Sequence, residues 1–193
     1  MIAVIQQNTS NLARLANVLD LNANKESKYR RLKRFLKEAE IDYVVFATLL
    51  IAILKPKSKY ILALDRTEWK YGKTWVNILT LSIVFGNTSI LILWQTLNGK
   101  GNSTLAEKQE ILNRHIKAFG VKNILYFCAD REFDGHEFIK YLDKSRVPFR
   151  LRLKVSMRIA DKNGKLMKCG KVLRTLKIGE SYKLPPKREN TEE

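Results

Sequence analysis

The sequence predicts an α/β protein in which a small helical region precedes a mixed sheet. Three features predict it. Residues 9–54 carry apolar side chains at helical spacing, and residues 60–95 hold three apolar strand-like runs parted by turn-forming residues. Residues 104–153 then alternate helical and strand-like patterns. Three strands in succession followed by α/β units imply a mixed sheet with helices on its faces.

The first helix is expected over residues 9–20, capped by Thr9 or Ser10, with Leu12, Leu15, Ala16 and Leu19 at helical spacing. The second covers residues 25–40 (KESKYRRLKRFLKEAE). Tyr29, Leu32, Phe35 and Leu36 share one of its faces, and Lys28, Arg30, Arg31, Lys33, Arg34 and Lys37 cover the remainder. A basic amphipathic helix suits DNA phosphates, an anionic membrane surface or a solvated face with a narrow apolar seam; the charge of the rest of the chain favours DNA. A third helix, about 42–54, is apolar on nearly all sides and is expected to be buried among the first two. Lys55-Pro56-Lys57-Ser58-Lys59 reads as a linker.

The strands follow. Residues 60–65 make the first, Trp75–Phe85 the second and Ser89–Gln95 the third, with Gly86-Asn87-Thr88 as a tight turn. The Gly-rich loop at 98–103 holds a lysine but lacks the order of a phosphate-binding P-loop, so its role is to lead into a helix. Thr104 with Glu107 fits a capping box, and Leu105, Ile111, Leu112 and Ile116 continue an apolar stripe to about Phe119. Gly120 ends that helix; a strand at 123–129, a helix at 135–145 and a strand over Val147–Leu153 follow. The order β-β-β-α-β-α-β is that of the ribonuclease-H-like fold. Its first and fourth strands lie side by side, which would set Asp65 beside Asp130. Residues 154–184 are basic, with Asn163-Gly164 and Gly179-Glu180 as turn candidates, and Lys165–Lys168 and Lys171–Ile178 as hairpin segments. The polar tail 185–193 is expected to be disordered.

Charge is the unusual total: 36 Lys+Arg against 19 Asp+Glu, a net of +17 over 193 residues. Such an excess favours a polyanionic partner, since each phosphate contact releases condensed counterions. A basic protein kept soluble by self-repulsion, or one with an acidic partner, is the plainer alternative. Residues 60–150 are the least basic part, with 13 basic and 9 acidic side chains. That suits a middle that holds cations between flanks that hold the polyanion. Cys128 and Cys169 are far apart without a Cys-x-x-Cys pair, which argues against a disulfide framework or a zinc site. The apolar run Val44–Leu54 is too short to span a bilayer, and residues 1–5 lack the form of a signal peptide. The expectation is a soluble, cytoplasmic, nucleoid-associated protein.

Two matched stretches carry the chemistry. Tyr60–Leu64 ends on Asp65 and Ile124–Ala129 ends on Asp130, each an apolar run closed by a carboxylate. Two such aspartates can hold divalent ions beside a phosphate, whereas the plainer role is a strand-end cap. Asp65-Arg66-Thr67-x-Trp69, Gly101-Asn102-Ser103 and Ala129-Asp130-Arg131-Glu132-Phe133-x-Gly135 resemble the DDE transposases of bacterial insertion sequences, in the group with a Tyr-Arg-Glu-Lys signature. The resemblance covers residues 60–155. It implies metal-dependent DNA cleavage and strand transfer at element ends, with Mg²⁺ or Mn²⁺ as cofactor and Asp65 and Asp130 as the first two ligands. It also implies double-stranded DNA of the terminal repeats as partner, with a homodimer or an intact transposase as the protein partner. Residues 1–55 would be a helical DNA-binding region, 60–153 the catalytic core and 154–184 the start of a β-rich insertion.

A third carboxylate is implied on a late helix, yet no Tyr-x-x-Arg-x-x-x-Glu arrangement follows residue 130. Glu180 sits in a turn, and Glu189, Glu192 and Glu193 lie in the polar tail. A truncated copy is therefore expected, poorly soluble through its exposed sheet. A non-catalytic DNA-binding fragment and a stand-alone ribonuclease-H-like nuclease are the alternatives. Arg66 and Arg131 are read as DNA-backbone contacts or as ion pairs holding the aspartates, and Glu132 as an outer group or the partner of an arginine. Trp69 and Trp75 are read as base-stacking or core residues, and His115 and His136 as surface or cap residues rather than ligands.

Overall fold

The structure, a computed structural model, describes residues 2–56, 58–174 and 176–183. The chain divides into two compact units, Met1–Asp42 and Tyr43–Glu193, each treated by itself.

The first unit holds three helices: α1 (Ile2–Gln7), α2 (Leu12–Val18) and α3 (Lys25–Glu38). The short α1 has no apolar stripe that a sequence pattern could mark. Asn11, rather than Thr9 or Ser10, caps α2; its side-chain oxygen accepts from the N–H groups of Ala13 and Arg14 at 3.0 and 3.2 Å. Asn24 caps α3 the same way, accepting from Ser27 at 2.8 Å. Leu15 and Ala16 are buried, whereas no residue of α3 is. The basic side of α3 stays open, and Arg30 there pairs with the exposed Glu26 one turn before it.

The second unit begins with α4 (Tyr43–Leu54). This corrects the expected bundle of three helices over residues 1–55: α4 packs against the sheet, with Tyr43 and Phe46 edge-on to Trp94 at 4.6 and 5.5 Å. Its apolar surface runs nearly all round, so periodicity could not say which neighbour it meets. The fully buried Ala47 sits on the side that joins the core.

The strands are β1 (Tyr60–Tyr71), β2 (Thr74–Phe85), β3 (Thr88–Leu97), β4 (Ile124–Ala129) and β5 (Phe149–Leu151). They form one sheet in the order β3-β2-β1-β4-β5, antiparallel at β1–β2 and β2–β3 and parallel at β1–β4 and β4–β5. This is the ribonuclease-H-like arrangement. β1 runs six residues past its predicted end because β2 pairs with it as far as Tyr71↔Thr74. Successive side chains alternate between faces. Leu62, Leu64, Leu79, Leu81, Ile83 and Phe127 are buried in one core with Ile111 and Leu112 of α5 (Leu105–Phe119) and Phe138 and Leu142 of α6 (His136–Lys144). The other face carries smaller side chains, Ala63, Thr80, Ser82 and Cys128 among them. The capping box of α5 is present, with Thr104 and Glu107 each serving the other's backbone, and Gly120 closes the helix at φ 73°.

The turn at Asn163-Gly164 joins β6 (Arg158–Ala160) to β7 (Leu166–Lys168) in an antiparallel hairpin. The second expected hairpin segment, Lys171–Ile178, is overturned at its start, where α7 (Cys169–Val172) turns helically. Gly170 allows this, because a Cβ there would lie 3.3 Å from the Val155 side chain. The predicted tail 185–193 lies outside the described residues.

His115 is not a surface residue. It is fully buried on α5 with its ring edge-on to Tyr60. Its Nε2 is 3.2 Å from the Tyr60 hydroxyl, and Nδ1 has no hydrogen-bond partner among the described residues. Burial lowers its pKa from 6.5 to about 4. The unfolded chain therefore binds a proton at this residue between those values while the folded chain does not. Stability is complete above pH 6.5 and is lost as pH falls toward 4, by roughly 3 kcal/mol at 1.36 kcal/mol per unit. Urea melts from pH 7 to pH 4 should show this loss in the native chain, and His115→Leu should remove most of it.

Candidate active site

The parallel β1–β4 ladder pairs Ala63 with Cys128 and Leu64 with Ala129, and ends there. Asp65 and Asp130 are the next residue on each strand, both exposed. With strands about 4.8 Å apart, the sheet brings the two carboxylates to one place. They line a groove of about 480 Å³ with Ala63, Thr80, Ser82, Ser89, Cys128 and Ala129. Asp65 Oδ1 accepts from the Arg66 N–H at 2.8 Å, and the Thr80 hydroxyl donates to the Asp65 carbonyl at 3.1 Å. Asp130 leads into a 3-10 turn (Arg131–Phe133), its carbonyl accepting from the Phe133 N–H at 3.0 Å. Arg152, just past β5, forms a loose ion pair with Asp130 at 3.5 Å. Burial pushes the Cys128 thiol up, which keeps it protonated on the groove floor.

Arg66 is committed within the protein. It shares the face of Leu62 and Leu64, its side chain is 13% exposed, and its donors are spent on protein. Nη1 donates to Glu68 Oε2 at 2.6 Å and to the Gly101 carbonyl at 3.0 Å; Nη2 and Nε reach Glu132 at 3.0 and 3.4 Å. A guanidinium held by two carboxylates has little left for a phosphate, so the geometry favours the ion-pair reading of Arg66 over the DNA-backbone one. Its ion pairs are with Glu68 and Glu132 rather than with the two aspartates. Glu132 foremost holds the Arg66 pKa above its ordinary value, and Arg66 in turn holds the Glu68 carboxyl below its own. Asn77, buried opposite Glu68, donates from Nδ2 to the Gly101 carbonyl at 2.9 Å.

Arg131 is exposed on the 3-10 turn. Trp69 is 44% exposed and, four residues past Asp65, projects from the same face. Trp75 is more covered, with the Lys100 and Lys70 ammonium groups 4.8 and 5.9 Å from its ring centroid. His136 is exposed at the start of α6. Arg30, Arg31 and Arg34 line a groove within the first unit, together with Lys28, Ser27 and residues 21–23, and Lys33 is exposed on the same helix. Sequence reasoning missed Arg152, which the expected strand Val147–Leu153 takes into its interior, whereas β5 ends at Leu151. It also missed Asn77, a polar residue at a buried position of β2.

The donor set suits a hard cation. Mg²⁺ is held by one or two carboxylates while water and phosphate oxygens complete its shell, and Asp65 with Asp130 supply that many. No group of three or more His, Cys, Asp or Glu side chains able to hold a metal occurs among the described residues.

Residues 56–192 match the Transposase DDE domain family, and the chain belongs to that family. No curated protein matches it. Among solved structures, the HTLV-2 integrase catalytic core domain in complex with magnesium (dimeric form) is 18% identical at a TM-score of 0.37, the match covering 49% of this chain and 61% of that one. The trimeric form of that domain is 16% identical at a TM-score of 0.38, covering 49% of this chain and 60% of that one. The simian T-cell lymphotropic virus intasome in complex with PP2A regulatory subunit B56 gamma is also 16% identical, at a TM-score of 0.38, with 49% and 32% covered. The match thus spans less than two thirds of each of these chains. Strand order and direction carry the fold; scores this low add no argument to it.

Asn77→Ala should destabilise the protein by about 0.5–1.5 kcal/mol in urea melts, since it removes one of the two side-chain donors, Asn77 Nδ2 and Arg66 Nη1, to the Gly101 carbonyl.

Proposed function

We propose that this domain cleaves and joins DNA at the ends of a mobile element, with Asp65 and Asp130 holding Mg²⁺ or Mn²⁺. The observation that supports it most is the β1–β4 register, whose pairing ends one residue before an aspartate on each chain segment, at one groove, in a chain of the transposase family. A divalent ion bound there would polarise the scissile phosphodiester and raise the acidity of an attacking water or 3′-hydroxyl. The residues of the chain supply the rest. The floor of Ala63, Thr80, Ser82 and Cys128 leaves room for a sugar-phosphate backbone to approach the carboxylates. Arg152 places a positive charge beside Asp130 that an incoming phosphate can take over. Trp69 and Arg131 flank the groove as contacts for a base and for the backbone.

The basic groove on α3 suits the flanking duplex, as does the net charge of +17. Double-stranded DNA of the element ends is the proposed substrate, and a second copy or an intact transposase the proposed protein partner. No helix among the described residues is long and apolar enough to cross a membrane.

One observation favours a second reading, a DNA-binding domain that does not cut: the absence of a three-carboxylate cluster among the described residues. Cleavage of labelled duplexes bearing the ends of the encoding element, with Mg²⁺, separates the two. On the first reading the native chain cuts. Asp65→Ala and Asp130→Ala each lower the rate at least about 100-fold, the scale of several kcal/mol of metal stabilisation, while binding persists. Binding without cleavage leaves the second reading, and cleavage that survives both substitutions removes the active-site assignment. On either reading, Arg31→Ala and Arg34→Ala should each lower the slope of log affinity against log salt by about one.

A further inference from the structure

We propose that Arg66 is a positioning residue whose two-point ion pair with Glu132 fixes the spacing of Asp65 and Asp130. This rests on the reading of those aspartates as metal ligands. The β1–β4 ladder brings the two aspartates to one place but stops one residue short of them, at Leu64↔Ala129, and the chain after Asp130 turns into the 3-10 turn. Beyond that point Arg66 Nη2 meets Glu132 Oε2 at 3.0 Å and Nε lies 3.4 Å from Oε1. Arg66 follows Asp65 by one residue and Glu132 follows Asp130 by two, so the pair bridges the two ligand-bearing segments where hydrogen bonding between strands has ended.

The bridge is itself anchored. Glu68 Oε2 and the Gly101 carbonyl hold Nη1 at 2.6 and 3.0 Å, which fixes the plane of the guanidinium. With 13% exposure the side chain is screened far less than a surface pair. Because neighbouring side chains on a strand point to opposite faces, Arg66 works from the core side while Asp65 meets the groove. The pair can therefore set the carboxylates without occupying them, as outer groups do around a bound metal.

Binding of Mn²⁺ to the full chain, followed by paramagnetic resonance of the free ion, tests this, because charge and position predict opposite signs. Arg66→Met removes a positive charge beside the site, so electrostatics alone would tighten Mn²⁺ binding. Positioning predicts that binding weakens about 10- to 100-fold with the circular dichroism unchanged. Glu132→Gln should weaken it as well, whereas Glu137→Gln, an exposed carboxylate paired with Lys140, should not. The Arg66→Met, Glu132→Gln double variant should be no worse than the weaker single one.

Unchanged or tighter binding in Arg66→Met overturns the proposal. If that variant does not fold, Arg66→Lys serves instead: it keeps the charge, loses the fork, and should still bind weakly. A native chain whose Mn²⁺ binding is absent, or is unaffected by Asp65→Asn, overturns the metal reading itself and the positioning role with it.

Discussion

The parallel pairing of β1 with β4 is the constraint on which the rest of the second unit depends. These strands are far apart in sequence, and the segment between them supplies β2, β3 and α5 before the chain returns. A parallel pair requires such a crossover, and a right-handed one packs its helix back on the sheet. The long α5 meets this need, capped at its start by Thr104 and Glu107 and stopped by Gly120. Once the register is set, Leu62, Leu64 and Phe127 go to the core, and the residues that follow the last β1–β4 pair bring the aspartates to the groove.

A division of labour between the faces follows. α5 and α6 contribute to the core on the side of Leu62 and Leu64, and Ala47 of α4 joins the same cluster, so burial energy is concentrated there. The opposite side is floored by small residues and stays open around Asp65 and Asp130. Stability and chemistry thus rest on alternate residues of the same strands. Arg66 is where the two sets meet: it lies on the core face yet reaches the turn that carries Asp130's neighbours.

Much of this was legible in the chain. The two apolar runs that lead to aspartates, the capping box and the strand order follow from local patterns, because period and capping act over a few residues, although β1 continues past Asp65 to Tyr71. What escaped depends on contacts distant in sequence. His115 lies in the same apolar stripe of α5 as Ile111, Leu112 and Ile116, and only the opposing Tyr60 shows that it is a core residue. Arg66 and Glu68 continue the alternation of Leu62 and Leu64, a sign that they face inward, but their partners Glu132 and Gly101 come from other segments. The side of α4 that meets the sheet could not be read, since nearly every residue of that helix is apolar. The start of α7 was misread because alternation over so short a stretch suits helix and strand alike.

The shared alternation in β1 has a consequence for how this sequence can change. Replacing one groove-facing residue with another small one leaves the core untouched, and the reverse holds for a core residue, so the two sets can drift separately by substitution. Insertion or deletion of a single residue between Tyr60 and Leu62, with the register of the strand's start kept, is different in kind. It would turn Leu62 and Leu64 toward water and Asp65 toward the helices at once, because a shift of one residue exchanges the faces of a strand. Length variation among descendants of this chain should therefore collect in the hairpin tips and in the basic segment after β5, while β1 keeps its length.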